Sequence, residues 1–530
     1  MWRMKRDMKT MVKQAIAMMV CVLMVFSITA CGRGTTSKKV NKNAKKITIQ
    51  LFEGGHGRAW LDNIITAYEE KNGDVDITVK TTVSSIAAEA LVNSGKSEFD
   101  LILLNYNFWN GSYEGKIEDL TDVYMATPEG ESQTIMEKCN DTLVSYYNIG
   151  TADAPKFNQM SWASTNTGIC YNQTTLDEVL GEGKWTLPNT TDEFLALCKE
   201  VQGDGSEAYA FVFNGQDDNY MDTYLIPAWT AQYMGYDAYY NYCHGKYQDA
   251  NGEFVDASAS EGKTLVEQNG SLPALKVFEE ICTNYCHPYS VDLSFNNAQK
   301  VFCGYGSGVK TQKVAFMANG DWLESEIATL VANKPQDIKM MKLPVVSAII
   351  DKCKTINDDA TLSKVVAAID SGATSCEGVS EADFNRIYEA RHTSTSLSFM
   401  HCLAIPSTSQ YVEEVKDFLV YMFSDEAQAI YSETLNGLTM PYGYDVSTNS
   451  NIKVSDFNKS VYEVFSGEHD IINVEDYSSK IVFFGGFRGA PTSASKVLFN
   501  KEATADSLFK DYVEKYSNRW GQILSQAGKK

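Results

Sequence analysis

Hydrophobic and polar positions alternate with a period of two early in the chain and then change to a helical period. Lys46–Phe52 (KITIQLF) has an apolar residue at every second position, which predicts a β-strand. Ala59–Lys71 repeats apolar residues at helical spacing, which predicts an amphipathic helix. Val75–Val79 alternates again, so that a strand, a helix and a strand follow one another. This order predicts a βαβ unit in a parallel sheet.

Further apolar runs extend this α/β pattern along the chain. Phe99–Leu104 (FDLILL) is mostly apolar, as expected of a strand buried on both faces, and Asn105 stands at its carboxyl end, where ligands of open α/β sheets bind. Lys313–Leu323 predicts a strand, a turn and the start of a helix. Ala348–Thr393 is polar and predicts a mostly helical insertion. Other helices are predicted at Phe194–Val201, Pro273–Tyr285, Val412–Met422, Asp425–Leu435 and Thr504–Leu524.

Residues 1–30 have the pattern of a secretory signal. Met1–Lys13 is basic, and Ala15–Ala30 is apolar but shorter than the roughly 20 residues that a membrane-spanning helix needs. The exit Ile28–Gly32 (ITACG) resembles the lipobox of bacterial lipoproteins, which implies cleavage before Cys31, lipidation of its thiol and anchoring to the cell membrane. An ordinary signal peptide or an uncleaved anchor is the alternative. Residues 31–45 are expected to form a flexible tether.

The composition excludes one class of partner. The chain has a formal net charge of −22 at pH 7, and its basic residues do not cluster outside the tether. Such a chain repels the phosphates of nucleic acids, and no nucleic-acid partner is expected. Ten cysteines follow Cys31, scattered from Cys139 to Cys402. Their scatter favours buried free thiols, with the disulfides of a secreted protein as the alternative.

Motifs of catalysis and metal binding are incomplete in this chain. Gly262–Thr264 matches the end of a phosphate-binding P-loop, but Ala257 stands where that motif needs glycine. Cys282–His287 contains three possible metal ligands without a second pair of ligands further along. Asp249–Glu253 matches a fragment of a calcium loop that lacks the terminal glutamate. No metal, cofactor or catalytic residue is therefore predicted.

The order of several segments resembles that of a known protein family. The resemblance begins with ITIQLFEGGHGRAWLDNIITAYEE from Ile47 and FDLILLN from Phe99. It continues with IEDLTDVY, TGICYNQTTLDEV, TLPNTTDEFLALCKEV and VAFMANGDWL, and it ends with AIPSTSQYVEEVKDFLVYMFSDEAQ and GLTMPYG. Together these segments cover most of residues 46–445. In this order and spacing they are similar to the bacterial extracellular solute-binding proteins of ABC importers, in the carbohydrate-binding family 1 group.

The resemblance implies an α/β, two-lobe fold of the periplasmic-binding-protein type (type II). Each lobe is expected to be a mixed sheet flanked by helices, with the ligand cleft between the lobes. Residues 46–159 and 396–438 would form lobe 1, residues 160–345 and 439–530 lobe 2, and residues 346–395 the insertion. The implied function is non-catalytic: a lipid-anchored extracellular monomer captures a carbohydrate, expected to be an oligosaccharide, and delivers it to the permease subunits of an ABC importer.

Two other functions stay open at this point. A surface glycoside hydrolase or lyase would need two carboxylates that flank the scissile bond, and cleavage of an oligosaccharide would favour it. The 68 acidic residues make the availability of such a pair uninformative. The same receptor fold binding a non-sugar polar solute is the second alternative, and a cleft without stacked aromatic rings would favour it.

Candidate site residues follow from the chemistry of sugars, which present C–H faces and hydroxyl edges. In the family the Gly-x-Trp turn faces the cleft, which implies a ligand-facing Trp322 with Asp321 beside it. Free backbone N–H groups are expected at Gly55 and His56, where a plain turn is the alternative. Ordinary core packing is the alternative for every aromatic residue. The remaining predictions are Trp162, Trp229 and Tyr442 for stacking, and Asn105, Glu53, Asp217 and Arg488 for the hydroxyls.

Overall fold

The computed structural model describes residues 43–82, 84–105, 113, 115–203, 208–216, 219–306, 313–465, 471–473, 479–491 and 493–529. The segment Lys45–Lys530 forms one compact unit. The predicted signal peptide, the predicted lipidation site Cys31, most of the tether and Asp217 lie outside the described residues. Within the described ranges, no helix is both long and apolar enough to cross a membrane.

The first sheet is mixed, with strands in the order β2-β1-β3-β12-β4. β1 runs parallel to β2 and β3, whereas β12 is antiparallel to β3 and β4. The helix Ala59–Lys71 connects β1 to β2 and buries Trp60 and Leu61 in the core of this sheet, which confirms the predicted βαβ unit. The strands are β1 Lys45–Phe52, β2 Val75–Thr82, β3 Leu101–Leu103, β4 Met160–Ser161 and β12 Cys402–Ala404.

The second sheet is also mixed, in the order β13-β11-β5-β9-β6, and β10 pairs with β5. β5 is antiparallel to β9, β10 and β11, whereas β6 is parallel to β9 and β11 is parallel to β13. A separate hairpin consists of β7 and β8. The strands are β5 Asn166–Asn172, β6 Ala208–Val212, β7 Lys246–Gln248, β8 Phe254–Asp256, β9 Lys313–Gly320, β10 Ile338–Met341, β11 Ser394–Ser396 and β13 Ile471–Asn473.

Helices flank both sheets, and the five further helices predicted from periodicity are present with small shifts of their ends. The α-helices are Ala59–Lys71, Ser85–Asn93, Thr121–Met125, Ile135–Lys138, Asp141–Tyr147, Gln173–Leu180, Thr191–Gln202, Tyr220–Met234, Tyr236–Cys243, Gly262–Val266, Leu272–Asn284, Phe295–Phe302, Leu323–Asn333, Asp359–Asp370, Glu381–His392, Val412–Met422, Asp425–Thr434, Asp456–Phe465, Lys480–Phe483, Ala494–Phe499 and Ala505–Gln526. Short 3-10 helices are Ser290–Asp292, Ser347–Lys352, Ser398–Met400 and Val446–Thr448.

Each sheet has its own hydrophobic core, and the polar stretch after residue 346 joins the second core. Two helices, Asp359–Asp370 and Glu381–His392, lie in this stretch, and they bury Leu362, Val365 and Ile387 against the second sheet. The stretch is therefore helical, as its sequence predicts. The fold is α/β with two mixed sheets flanked by helices, whereas the residue limits of the two lobes stay a prediction.

Candidate functional site

A cavity of about 440 Å³ is lined by residues from both sheets, and this size is typical of small-molecule sites. One wall follows the carboxyl ends of β1 and β3 and contains Gly54, Gly55, His56 and Asn105. The other wall follows β6 and β9 and contains Asn214, Tyr220, Tyr224, Phe295, Trp322 and Glu326. The connection from β11 to β12 completes the lining with Leu397, Met400 and His401.

Four aromatic rings form most of the second wall. Tyr220 and Tyr224, one turn apart on the same helix, stack with ring centroids 4.9 Å apart. Trp322 meets both rings edge-on, at 6.1 and 6.3 Å, and Phe295 meets Tyr220 edge-on at 4.9 Å. These contacts fix the orientation of each ring, because edge-to-face and offset-stacked pairs are the favoured aromatic arrangements. The four rings therefore form a rigid apolar surface.

Trp322 also connects the two walls. It lies two residues after the end of β9, and its side chain packs against two glycines, Gly320 of the second sheet and Gly55 of the turn after β1. A Cβ atom built on Gly55 would lie 2.4 Å from Cδ1 of Trp322, and one built on Gly320 would lie 2.1 Å from its Cζ3. Both distances are far below van der Waals contact, so the indole fits only because these positions carry no side chain.

Amide and imidazole groups dominate the first wall. Asn105 lies just past β3, and its Oδ1 accepts a hydrogen bond from the hydroxyl of Ser85, the first residue of the helix Ser85–Asn93. His56 follows Gly54 and Gly55 at the end of β1. His401 ends the connection between β11 and β12, and the centroids of the two imidazole rings are 5.9 Å apart. These groups are planar and polar, as hydroxyl-binding groups of sugar sites are.

The ionisable groups of the cavity are uncharged near neutral pH. Burial lowers the pKa of His56 to about 4 and that of His401 to about 3, since a buried imidazolium loses its hydration. Burial raises the pKa of Glu326 to about 8, although Gln299 donates a hydrogen bond to its carboxylate. The described lining contains no lysine or arginine. The cavity therefore suits a neutral solute.

Asp321 lies behind the cavity rather than in its lining. Its Oδ2 accepts a hydrogen bond of 2.8 Å from the backbone N–H of Asn166, and its own N–H donates to the carbonyl of Asn166 at 2.9 Å. Burial raises the pKa of its carboxyl well above the usual range. These bonds join the ends of β5 and β9, so Asp321 positions Trp322 from within the fold.

Three of the predicted stacking residues are part of the hydrophobic cores and do not line the cavity. Trp162 stacks on Trp60 and donates from its indole to the carbonyl of Leu104 at 2.9 Å. Trp229 donates to the carbonyl of Pro344 at 3.0 Å, and Tyr442 donates to the carbonyl of Ser161 at 2.8 Å. All three side chains are almost completely buried, so neither ring face is open to a solute. A stacking role for these three residues stays a prediction.

Some of the residues predicted to bind hydroxyls line the cavity, and others lie outside it. Asn105 lines the cavity, as do Gly55 and His56, whereas Glu53 is exposed outside it. Arg488 also lies outside the lining, close to Tyr516. The cavity residues that sequence reasoning missed are Phe52, Asn214, Tyr220, Tyr224, Phe295, Glu326, Leu397, Met400 and His401. The aromatic density after residue 220 was the available signal for two of them.

A family model described as bacterial extracellular solute-binding protein matches residues 63–453 of the chain. The chain belongs to this family. Its members are non-catalytic proteins that bind solutes for ABC import, which confirms the resemblance seen in the sequence. No curated protein matches the chain.

Several solved structures of solute-binding proteins are similar to this chain. RafE from Streptococcus pneumoniae, in its apo form, is 14% identical with a TM-score of 0.54, over 90% of this chain and 98% of RafE. A chitin oligosaccharide binding protein is 12% identical with a TM-score of 0.55, over 91% and 100% of the two chains. The GacH receptor of Streptomyces glaucescens is 13% identical with a TM-score of 0.53, over 91% and 99%. At these identities the likeness shows the fold alone.

The metal-like motifs of this solute-binding protein have structural explanations. Asp249 Oδ1 accepts hydrogen bonds from the backbone N–H groups of Asn251 and Glu253, which forms the turn between β7 and β8. Cys282 and Cys286 are free, buried thiols. In the part of the chain that the structure describes, no three histidine, cysteine or acidic residues are grouped as a metal site requires.

Proposed function

We propose that this solute-binding protein captures a carbohydrate, specifically an oligosaccharide, and delivers it to the permease of an ABC importer. The observation that carries the proposal is an uncharged cavity in which four aromatic rings lie on one side and Asn105, His56 and His401 on the other. Sugars have this same division, because their C–H faces are apolar and their hydroxyl edges are polar.

The two walls divide the recognition of a sugar between them. Trp322 and Tyr220 of the second wall would cover the C–H faces, while Asn105 of the first wall would bind hydroxyls. A charged solute fits this cavity poorly, since a buried charge needs an opposite charge or several hydrogen bonds. The chemistry therefore favours a sugar over a peptide or an ion, and the presence of stacked aromatic rings argues against the non-sugar alternative.

Proteins of similar fold support the choice of an oligosaccharide. One of them is titled a chitin oligosaccharide binding protein, and GacH was solved in complex with acarbose and an acarbose homolog. Another similar structure, MalE3 of T. maritima, holds maltose. The solutes named for these proteins are a chitin oligosaccharide, acarbose and maltose, and we extend the oligosaccharide class to the present chain.

Thermal unfolding of residues 32–530 against a panel of mono- and oligosaccharides tests the proposal. A sugar at 100 times its dissociation constant adds about 2.7 kcal/mol to the free energy of unfolding of the protein. The midpoint of thermal unfolding should therefore rise. Product analysis accompanies every stabilising sugar. A raised midpoint with intact sugar supports a receptor, whereas cleaved sugar would establish a hydrolase or lyase instead. If no sugar changes the midpoint of unfolding, the solute is expected to be a polar compound other than a sugar.

We also propose that the protein is held at the outer face of the cell membrane by a lipid on Cys31. The support is the ITACG exit of the N-terminal apolar stretch and the membership in an extracellular family. Cys31→Ser removes the acylated thiol, and the protein should then move from the membrane fraction to the medium. Cys139→Ser, which alters a buried thiol of the folded unit, is the control and should stay with the membrane.

A further inference from the structure

The two histidines of the cavity, His56 and His401, form a pair in which only one nitrogen of each ring has a hydrogen-bond partner among the described residues. Each ring has one nitrogen in a hydrogen bond to backbone, of Ser164 for His56 and of Leu397 for His401. Both contacts favour the protonated ring, so the backbone group is a carbonyl and the ring nitrogen donates. The other nitrogens, Nε2 of His56 and Nδ1 of His401, are buried and have no partner among the described residues.

This arrangement fixes the hydrogen-bonding character of both rings. Because both imidazoles are neutral, and one nitrogen of each carries the proton that it donates, the second nitrogen has a lone pair and can only accept. Trp162 meets both rings edge-on, at 5.8 and 5.1 Å, and so holds them in place. Two buried acceptors without donors are unfavourable, and the fold retains them beside a cavity that a solute can fill.

We propose that His56 and His401 together select a sugar that presents two adjacent hydroxyl donors, one to each ring. The inference rests on the proposed sugar-binding function and adds a pair of specificity-determining residues to it. The ring centroids are 5.9 Å apart, so hydroxyls on neighbouring carbons of one sugar ring are the matching donors. A solute that lacks one of these hydroxyls leaves a buried acceptor unpaired, which is a strong basis for rejection.

Matched substitutions separate the acceptor role from a merely structural role. His56→Leu and His401→Leu remove the acceptors, whereas His56→Gln and His401→Asn place an amide oxygen close to the lost nitrogen. Isothermal titration calorimetry with maltotriose, raffinose, cellotriose and chitotriose measures the dissociation constants of all five proteins. For a sugar that binds the wild type, each leucine variant should bind about tenfold more weakly, and the amide variants should stay within about threefold.

Monodeoxy analogues of the bound sugar give the specificity readout. The wild type should lose about tenfold or more in affinity when either hydroxyl of the adjacent pair is absent, while the leucine variants should no longer distinguish the analogue from the parent sugar. This comparison in the wild type alone tests the inference even if a leucine variant fails to fold. Equal losses for every deoxy position, or an unchanged preference in the leucine variants, would overturn it.

The remaining outcomes separate this inference from the function on which it rests. If a sugar binds the wild type and all four variants equally, the histidine pair does not select it and the receptor function stands. If no sugar binds the wild type, the proposed function fails and the inference fails with it. If zinc without sugar stabilises the wild type but not the leucine variants, the pair is a metal site and the hydroxyl role is overturned.

Discussion

Glu326 is the acidic side chain of the described cavity lining. Burial raises the pKa of its carboxyl from 4.5 to about 8, so the folded protein holds a proton that the unfolded chain releases above pH 4.5. The contribution of the protonated carboxyl to the free energy of unfolding is fully present below pH 4.5 and is lost as the pH rises through 8. Glu326→Gln keeps a neutral side chain. The variant should equal the wild type near pH 4 and be more stable by about 1–3 kcal/mol at pH 8.

Chemical denaturation of both proteins from pH 4 to pH 9 checks this expectation. Glu413→Gln is the matched control, because Glu413 is exposed on the helix Val412–Met422, and it should match the wild type throughout. A difference between Glu326→Gln and the wild type that does not change with pH would mean that the carboxyl is not held neutral by burial.

For individual residues, the type of side chain did not predict whether it lines the cavity or packs in a core. Trp322 and Trp229 are both buried in the second core, yet only Trp322 also lines the cavity. The difference lies in tertiary contacts, since the indole N–H of Trp229 binds the carbonyl of Pro344, 115 residues away. Spacing along the chain contains no information on such a contact. Asn105 was predictable because its position after a buried strand places it at the carboxyl edge of a parallel sheet.

Among the elements, those with one buried face were predicted best. The helices Ala59–Lys71 and Val412–Met422 have the predicted ends, because their apolar stripes follow the helical period. The helix Tyr220–Met234 is buried on nearly all sides and contains Pro227, so it has no such stripe. Its sequence showed only a high density of aromatic residues. Tyr220 and Tyr224 were therefore not assigned to the aromatic wall, although the structure places both there.

Connections between elements were the least predictable part of the site. His401 and Leu397 lie in the short segment between β11, in the second sheet, and β12, in the first. Both strands have only three residues, too few for a hydrophobic period to show which sheet each joins. The sequence contained no signal that this segment would line the cavity. Long-range pairing with Thr167 and Leu103 decides that position.

For the whole molecule, the crossing segments connect the two sheets in a way that suits a hinge. The chain leaves β4 of the first sheet for β5 of the second, and it returns from β11 to β12. These two crossings are hydrogen-bonded to each other, since Trp162 N–H donates to the carbonyl of His401 at 2.9 Å and Leu397 N–H donates to that of Thr165 at 2.8 Å. A short paired connection of this kind permits rotation of two rigid bodies around a bound solute.

In the structure the two walls meet where Gly55 contacts Trp322. Gly55→Ala adds a methyl group that would lie 2.4 Å from the indole, and the indole cannot retreat because Gly320 and Tyr224 pack against it. The backbone of Gly55 is not left-handed, so alanine adds no strain of its own. We expect the sugar to bind about tenfold more weakly and the radius of gyration with sugar, from small-angle X-ray scattering, to exceed that of the wild type. Gly73→Ala, with no atom near its added Cβ, should behave as wild type, and equal affinity of both variants would show that closure does not need this glycine.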